Sequence, residues 1–409
     1  MKRLLLLLPT RGYRAPPFME VAARLGVDLT VASEEPSTLE GLSPGSLLTL
    51  DFAHPDRAAQ GTAAFAREYP IHAVVGVDDA TTGLQAAISE ALGIQANSYA
   101  ATATARNKLR MREALRAGGM DRPTFSHFSI DDDPSDSADQ VPYPCVLKPL
   151  ALAGSRGVIR ANNPQEFETA FRRIAAILRE PEVASAGADA RQILVESYLP
   201  GVEVALEGIV LDGRLQVLAI FDKPDRLDGP FFEETIYTTP SRLAESDQQV
   251  IAAVVARAAS ILELWEGPVH AEIRLTPDGP VILEVNPRSI GGKCSRILRF
   301  GAGMTLEEII LRRALRMEIP SMKREEQAAG VMMIPIPGAG VLKGISGLEA
   351  AGAVPGIEEV SLSARVGQRL TPLPEGSVYL GFIFARGPSP DRVEDALRAA
   401  HRELKFRLG

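Results

Sequence analysis

The stretch from His270 to Asn286 contains polar residues whose types and spacing could bind a cation. Two short runs of alternating apolar residues flank Thr276-Pro277-Asp278-Gly279, the residue types that a tight turn requires. The pattern therefore predicts a β-hairpin. We expect a three-residue loop in which Thr276 faces Pro280.

In that register, two pairs of polar side chains face each other. Glu272 lies opposite Glu284, and His270 lies opposite Asn286. Because strand side chains alternate, all four project from one face, where opposed carboxylates repel each other unless a cation sits between them. Oxygen ligands in an incomplete cage suit Mg²⁺ that is also held by substrate phosphates, and Arg288 could add a positive fork for phosphoryl oxygens. The alternative is an exposed hairpin with two solvated glutamates.

Length and composition exclude several classes of protein. The chain has 409 residues, enough for two or three domains. With 45% hydrophobic and 23% charged residues, it is neither disordered nor a membrane protein by composition. A net charge of −8 without a basic block predicts no nucleic-acid partner. Cys145 and Cys294 form no metal or disulfide pattern, which favours a cytoplasmic location.

Residues 1–97 predict a small doubly wound α/β domain. The expected strands are Leu4–Leu8, Asp28–Ala32 and Ala73–Val77, and the expected helices are Pro17–Leu25, Pro55–Glu68 and Thr81–Leu92. The segment Pro9-Thr-Arg-Gly12 is not a G-x-G-x-x-G sequence, which argues against a dinucleotide site. Gly76-Val-Asp-Asp79 follows a strand at the edge where open α/β sheets bind ligands, although a plain loop explains it equally well.

Two basic segments could contact phosphates. Residues 102–118 predict one helix with Lys108 and Arg112 one turn apart on the same face. A strand carrying Lys148 is predicted next, followed by Gly154-Ser-Arg-Gly157, a loop whose backbone N–H groups could approach phosphates. The alternatives are a solvated basic face for the helix and a simple hairpin loop for the glycines.

A broken strand follows. It runs to Glu196, breaks at Pro200-Gly201 and then restarts. The backbone groups freed by the break could pair with a purine edge, Tyr198 and Leu199 could flank the ring, and Glu203 could accept ribose hydroxyls. A plain strand–turn–strand is the alternative.

The order of these motifs resembles the ATP-grasp superfamily over roughly residues 95–320. The matching motifs are Lys108, Val-Leu-Lys148-Pro, Gly154-Ser-Arg-Gly157, Val-Glu196-Ser-Tyr-Leu-Pro-Gly-Val-Glu203, His270-Ala-Glu272 and Leu-Glu284-Val-Asn286-Pro-Arg288. The resemblance implies an α/β and α+β multidomain fold. Its expected parts are an N-terminal pre-ATP-grasp domain at 1–97, an ATP-grasp domain at 98–320 with a mobile lid lobe at about 125–197, and a small C-terminal α+β domain at 321–409.

The same resemblance implies ATP and Mg²⁺ as cofactors, with Mn²⁺ as a possible substitute. It also implies a role for each motif residue. Lys108 and Lys148 would contact phosphates, and Ser155, Arg156 and Gly157 would belong to a mobile loop over them. Glu196, Tyr198 and Leu199 would line the adenine site, and Glu203 would bind the ribose. Glu272, Glu284 and Asn286 would bind the metal, and Lys148 and Arg288 would act in catalysis.

Within the superfamily the sequence looks most like the L-amino acid ligases. Gly229–Glu234, Arg288–Gly292 and the tail from Gly330 carry this likeness. It implies that a carboxylate is activated as an acyl phosphate and joined to an amine, with release of ADP and phosphate. Two alternatives are another ATP-grasp enzyme, acting on a phosphoribosyl amine or bicarbonate, and a non-catalytic ATP-binding regulatory module.

Substrate contacts are expected at His270, Glu234, Arg288, Gly291 and Gly292. His270 could orient substrate or help to deprotonate the amine, but a histidine that only hydrogen-bonds in the core is an equal alternative. Glu234, or its neighbour, could bind a substrate ammonium. The two glycines could admit a medium or large acyl donor, or only serve a turn. We expect small, diffusible substrates, no membrane partner, and a homodimer as a possible state.

Overall fold

The computed structural model describes residues 2–10, 14–37, 40–150, 152–184, 187–301 and 303–409. Arg11, Gly12 and Ala151, which belong to two of the predicted loops, lie outside the described residues. The chain is a mixed α/β protein with four sheets in its described part. No helix in these ranges is long and apolar enough to cross a membrane.

The N-terminal part forms the predicted doubly wound unit. Its elements are β1 (Arg3–Leu7), α1 (Ala15–Arg24), β2 (Asp28–Ser33), a 3₁₀ turn (Glu40–Leu42), β3 (Leu47–Thr49), α2 (Pro55–Ala66), β4 (Ala73–Gly76) and α3 (Asp79–Leu92). The strands are parallel in the order β3-β2-β1-β4. Asp78 caps α3 by accepting from the Thr81 N–H, so Asp79 lies at the carboxyl end of β4.

The single helix predicted over 102–118 is wrong. The structure has two helices there, α4 (Tyr99–Arg106) and α5 (Lys108–Ala117). Between them Asn107 is extended, and its side chain accepts hydrogen bonds from two backbone N–H groups of the first turn of α5. This cap starts a new helix whose first residue is Lys108, so that Lys108 and Arg112 turn inward.

A four-stranded sheet covers the segment predicted as a lid. Its elements are β5 (Phe125–Ser129), α6 (Pro134–Ala138), β6 (Cys145–Pro149), β7 (Ile159–Ala161), α7 (Pro164–Leu178), α8 (Pro181–Ala184), a 3₁₀ turn (Gly187–Arg191) and β8 (Gln192–Ser197). The strand order is β5-β8-β6-β7. The apolar face of α7, with Phe167, Phe171 and Ile174, packs on this sheet. Lys148 and Glu196 therefore lie on adjacent strands, β6 and β8.

The largest sheet has eight strands. The elements that follow the lid are β9 (Val202–Leu211), β10 (Arg214–Asp222), β11 (Ile236–Thr239), α9 (Glu245–Ile261), β12 (Gly267–Thr276), β13 (Gly279–Asn286), a 3₁₀ turn (Cys294–Ile297), α10 (Leu306–Ala314), β14 (Ala328–Ile334), β15 (Gly340–Ser346), α11 (Leu348–Gly352), β16 (Ile357–Leu362), β17 (Arg369–Leu370), β18 (Gly381–Gly387), α12 (Pro390–Glu403) and β19 (Lys405–Leu408). The order is β13-β12-β9-β10-β11-β14-β18-β16, and β17-β15-β19 form a separate sheet. Three strands of the large sheet, β14, β16 and β18, lie after residue 320, where the C-terminal domain was expected to begin. The limits of the three domains therefore remain a prediction.

The predicted side-chain pairing is present in the β12–β13 hairpin, but its turn differs from the expectation. Thr276 pairs with Gly279, so the loop has two residues instead of three. A bulge then leaves Leu283 without a partner of its own, and this extra residue restores the register that sets Glu272 opposite Glu284. The expected three-residue loop is wrong because Pro277 and Asp278 alone form the turn, with Pro277 favoured at its first central position, and Gly279 already pairs with Thr276.

Candidate active site

A cavity of about 740 Å³ lies where the N-terminal unit, the lid sheet, the eight-stranded sheet and the C-terminal part meet. Most residues predicted for the site line it. They are Lys108, Lys148, Ser155, Glu196, Tyr198, Leu199, Glu203, Glu234, His270, Glu272, Glu284, Arg288, Gly291 and Gly292. The fold thus gathers motifs that are more than 180 residues apart in the chain.

Three predicted residues are not among those lining the cavity. The Arg156 side chain donates to the carbonyl of Glu375 at 2.7 Å. The Gly157 N–H donates to the carbonyl of Pro374 at 2.9 Å. Asn286 is buried opposite His270. The predicted phosphate loop is therefore attached to a loop of the C-terminal part.

One end of the cavity is an apolar slot. Val146, Leu227 and Phe232 form a buried cluster, against which Val158 and Tyr198 pack. All five also line the cavity. A flat apolar slot with a few polar groups at its edge suits a purine ring. Apart from Tyr198, sequence reasoning missed these residues, because isolated apolar positions in strands and loops carry no distinctive signal.

Glu196, at the edge of this slot, is held by two cations. The Arg112 Nε lies 2.5 Å from Glu196 Oε1, and the Lys148 Nζ lies 2.7 Å from Glu196 Oε2. Burial alone would raise the pKa of Glu196, but Arg112 and Lys148 hold it at about 2. Arg112 is 2% exposed and also donates to the Ile282 carbonyl at 2.8 Å. The alternative of a solvated basic face is therefore wrong for Arg112. The sequence did not reveal that Arg112 is buried and pairs with Glu196.

Glu272 and Glu284 present oxygen atoms to the cavity from adjacent strands. Their side chains are 22% and 27% exposed. The Lys108 Nζ lies 3.3 Å from Glu284 Oε1. Two opposed, half-buried carboxylates can bind a Mg²⁺ ion that is also coordinated by phosphate oxygens. Asn286, the third predicted metal ligand, lies on the same hairpin but is buried.

A second group of carboxylates surrounds Lys223, just beyond the end of β10. Ligand oxygens of Glu203, Glu234 and Glu272 lie within 4.8 Å of one another. The Lys223 Nζ is 2.6 Å from Glu203, 3.5 Å from Glu272 and also pairs with Glu234. Burial alone would lower the pKa of Lys223, but Glu203 and Glu234 raise it well above its usual value. The ammonium therefore stays charged, and sequence reasoning assigned it no role.

His270 lies between two carboxylates. Its Nδ1 is 3.2 Å from Glu207 Oε2, and its Nε2 is 3.7 Å from Glu272 Oε1. Burial alone would lower the pKa of His270, but hydrogen bonds to these two groups raise it. Glu207 is fully buried, which raises its own pKa, and it also accepts from the Ile290 N–H at 3.0 Å. Sequence reasoning missed Glu207, although its spacing of four from Glu203 within one strand puts both on the same face.

Arg288 is held by the N-terminal unit. Its Nε donates to Asp79 Oδ1 at 2.6 Å. Burial alone would raise the pKa of Asp79, but the Arg288 guanidinium lowers it. Asp78 and Asp79 both line the cavity, so this end of the segment Gly76–Asp79 borders it, and ligand contact there stays a prediction.

Beyond Arg288 the cavity becomes apolar again. Gly291 and Gly292 form part of its wall, together with Met333, Tyr379 and Phe382. Gly292 has φ +59°, and a Cβ there would lie 3.0 Å from Met333 Sδ. Gly292 therefore serves the backbone turn and the close approach of Met333, whereas a Cβ at Gly291 would meet no atom within 4 Å.

Three family models match consecutive parts of the chain. The ATP-grasp N-terminal domain matches residues 19–94, the ATP-grasp domain matches 141–297, and the L-amino acid ligase C-terminal domain 2 matches 332–409. Together they cover most of the chain, in the order expected from the motifs.

Relatives and a solved structure agree with these matches. Alanine–anticapsin ligase of Bacillus subtilis (strain 168) is 25% identical over 64% of this chain, and dapdiamide A synthase of Enterobacter agglomerans is 27% identical over 55%. The matches cover 58% and 52% of those relatives, so the chain spans little more than half of their length. The crystal structure of L-amino acid ligase from Bacillus licheniformis has a TM-score of 0.83 and 27% identity, covering 100% of this chain and 99% of that one. The chain therefore carries the ATP-grasp domains in their order and is similar throughout its length to an L-amino acid ligase.

Proposed function

We propose that the protein is an ATP-dependent ligase that joins the carboxylate of an L-amino acid to an amine, which is most simply a second amino acid. The observation that carries this proposal is the convergence of cations and carboxylates in one cavity. Lys148 and Arg288 supply positive charge for phosphoryl groups, while Glu272 and Glu284 supply oxygens for a cation. Glu234 lines the same cavity and supplies a carboxylate for the ammonium of an amino acid.

We expect ATP in the apolar slot of the cavity and Mg²⁺ beside the two opposed carboxylates. The adenine would occupy the apolar slot beside Tyr198, with Glu203 at the ribose. Magnesium would be held by Glu272 and Glu284, with Asn286 as a further ligand, and would neutralise phosphate charge. Mn²⁺, which takes the same oxygen ligands, should substitute for it.

The reaction follows from these placements in two steps. The substrate carboxylate attacks the γ-phosphorus of ATP, forming an acyl phosphate and releasing ADP. The amine then attacks the acyl carbon, an amide bond forms, a proton leaves the nitrogen, and inorganic phosphate departs. Lys148 and Arg288 hold the phosphoryl oxygens as their charge changes. Closure of the predicted lid over the cavity would exclude water that hydrolyses the acyl phosphate.

The wall near Arg288 indicates the kind of acyl donor. Met333 and Phe382 are apolar, Tyr379 adds an aromatic ring, and Gly291, where a Cβ would meet no atom within 4 Å, leaves room beside them. Burying an apolar side chain there contributes roughly 25 cal/mol per Å². We therefore expect medium or large apolar amino acids as donors.

Mass spectrometry of reactions with ATP, magnesium and mixed L-amino acids tests the proposal. ADP, inorganic phosphate and a new amide should appear together, and AMP should not. AMP with pyrophosphate would overturn the acyl-phosphate mechanism. Phosphate release only with a phosphoribosyl amine or bicarbonate would favour another ATP-grasp activity, and ATP binding without any release would favour a regulatory module. Glycine or alanine as the sole donor would overturn the argument from the apolar wall.

A homodimer and a cytoplasmic location remain predictions. Light scattering of the purified protein would measure the first, and cell fractionation would measure the second.

A further inference from the structure

The ammonium of Lys223 connects three carboxylates from three separate elements. Glu203 lies on β9, Glu272 lies on β12, and Glu234 lies in the segment before β11. Lys223 is 3% exposed, and its Nζ also lies 5.0 Å from the centre of the Tyr237 ring. Lys223 itself is not among the residues that line the cavity, whereas all three carboxylates are. It can therefore influence bound substrates through these carboxylates, and through the Tyr237 ring, which also lines the cavity.

These carboxylates have different assignments in the proposed function, on which this inference rests. Glu203 serves the ribose, Glu272 serves the metal, and Glu234 serves the ammonium of the amino acid. We propose that Lys223 is a positioning residue that couples the nucleotide site to the amino-acid site by holding Glu203 and Glu234 from one ammonium group.

The surroundings of each carboxylate support this coupling. Glu203 is fixed from two sides, because its Oε2 lies 2.9 Å from Arg274 Nη2 and its Oε1 lies 2.6 Å from Lys223. Glu272 is also close to His270. For Glu234, Lys223 is the one cationic side chain in ion-pair distance among the described residues. A displacement of Glu203 by ribose is therefore transmitted to Glu234 through Lys223.

The repulsion among the three anions explains why a cation is needed there. Carboxylate oxygens this close repel each other strongly in a partly buried site, because little water screens them. Without the ammonium they must separate, take up a proton or bind another cation. A protein that lacks Lys223 should therefore lose the coupling and gain a divalent-cation site among these carboxylates.

The first test compares wild type, Lys223→Met and Arg274→Met. In wild type, an amino-acid donor should tighten the binding of a non-hydrolysable ATP analogue with Mg²⁺ about fivefold or more, and the analogue should tighten donor binding equally. In Lys223→Met this factor should fall to about one. Arg274→Met removes the second cation from Glu203 together with the donors to the Gly201 and Leu227 carbonyls, but leaves Lys223 in place, so analogue binding should weaken while the coupling factor remains. Retention of the full factor by folded Lys223→Met would overturn the proposal.

The second test needs no amino acid, so its result does not depend on the proposed function. Mn²⁺ titration without nucleotide, followed by electron paramagnetic resonance, should show one more Mn²⁺ bound per chain in Lys223→Met than in wild type. Equal stoichiometry would overturn the counter-ion role. Circular dichroism checks the fold, and Lys223→Gln replaces Lys223→Met in both tests if the methionine variant does not fold. Absence of amino-acid-dependent phosphate release in wild type would instead count against the proposed function.

Discussion

The Arg288 guanidinium and the Asp79 carboxylate join two sheets at the wall of the cavity. The Nε donates to Oδ1 at 2.6 Å, although the residues are 209 positions apart. Asp79 begins the helix that follows β4 of the N-terminal sheet, and Arg288 follows β13 of the large sheet. The N-terminal unit therefore orients an arginine that we expect to contact the transferring phosphoryl group.

Replacement Asp79→Asn should lower kcat with little change in ATP affinity. A hydrogen bond to a charged group contributes about 1.5–3 kcal/mol, so the loss should be roughly tenfold or more. Steady-state kinetics and titration of an ATP analogue measure the two quantities. The exposed Asp56 on α2 offers a matched control, Asp56→Asn, which should leave both unchanged. A normal kcat in Asp79→Asn would contradict the orienting role.

Replacement Glu284→Gln should reduce turnover to background while the fold survives. The change removes one anionic metal ligand but keeps the size of a half-buried side chain. Turnover at saturating magnesium and thermal unfolding together test this, with Glu349→Gln on the exposed face of α11 as the control. An unchanged catalytic rate would rule out the metal assignment.

Lys148→Ala and Arg288→Ala should affect different quantities, the affinity for ATP and the catalytic rate. A group that binds ground-state phosphate acts on affinity, whereas a group that meets charge developing later acts on the rate. Lys148→Ala should therefore weaken ATP binding, and Arg288→Ala should chiefly lower kcat. Calorimetric titration of ATP and steady-state kinetics separate these effects. Equal defects in both quantities for both variants would remove the distinction.

Arg112→Met should destabilise the protein by about 3–5 kcal/mol, because breaking a buried ion pair leaves its partner charge uncompensated. Arg112 contacts Glu196 and donates to the Ile282 carbonyl from a buried position. Urea denaturation measures the change. Arg110→Met, on the exposed side of the same helix, should alter stability by no more than about 0.5 kcal/mol. Similar stabilities for the two variants would contradict the importance of the buried pair.

Glu196 should make stability depend on pH under acidic conditions. Its pKa is depressed to about 2 in the folded protein, from an ordinary value of 4.5. A depressed pKa stabilises the fold above the unfolded value, and this contribution is lost as the pH falls from about 4.5 through about 2. The difference in unfolding free energy between wild type and Glu196→Gln should therefore shrink over that interval. A constant difference between pH 5 and 2 would contradict it.

The sequence by itself determined the fold class, and most of the residues that it predicted for the site line the cavity. Turn residues and alternation predicted the hairpin and set Glu272 opposite Glu284, and local composition predicted the strand that carries Lys148 and the strand that breaks after Glu196. Such features depend on contacts within a few residues or on a single turn, so the local pattern determines them. The family resemblance ordered these local signals into domains.

Other features were decided only by tertiary structure. Asn107 divided a predicted helix through its side-chain cap. The bulge at Leu283 restored the pairing of Glu272 with Glu284, which the observed two-residue turn would otherwise have shifted. Lys223, Glu207 and Arg112 gained their partners from strands or helices distant in sequence. A buried charge is stable only where folding brings its counter-charges within hydrogen-bond distance, and a single sequence does not reveal that distance.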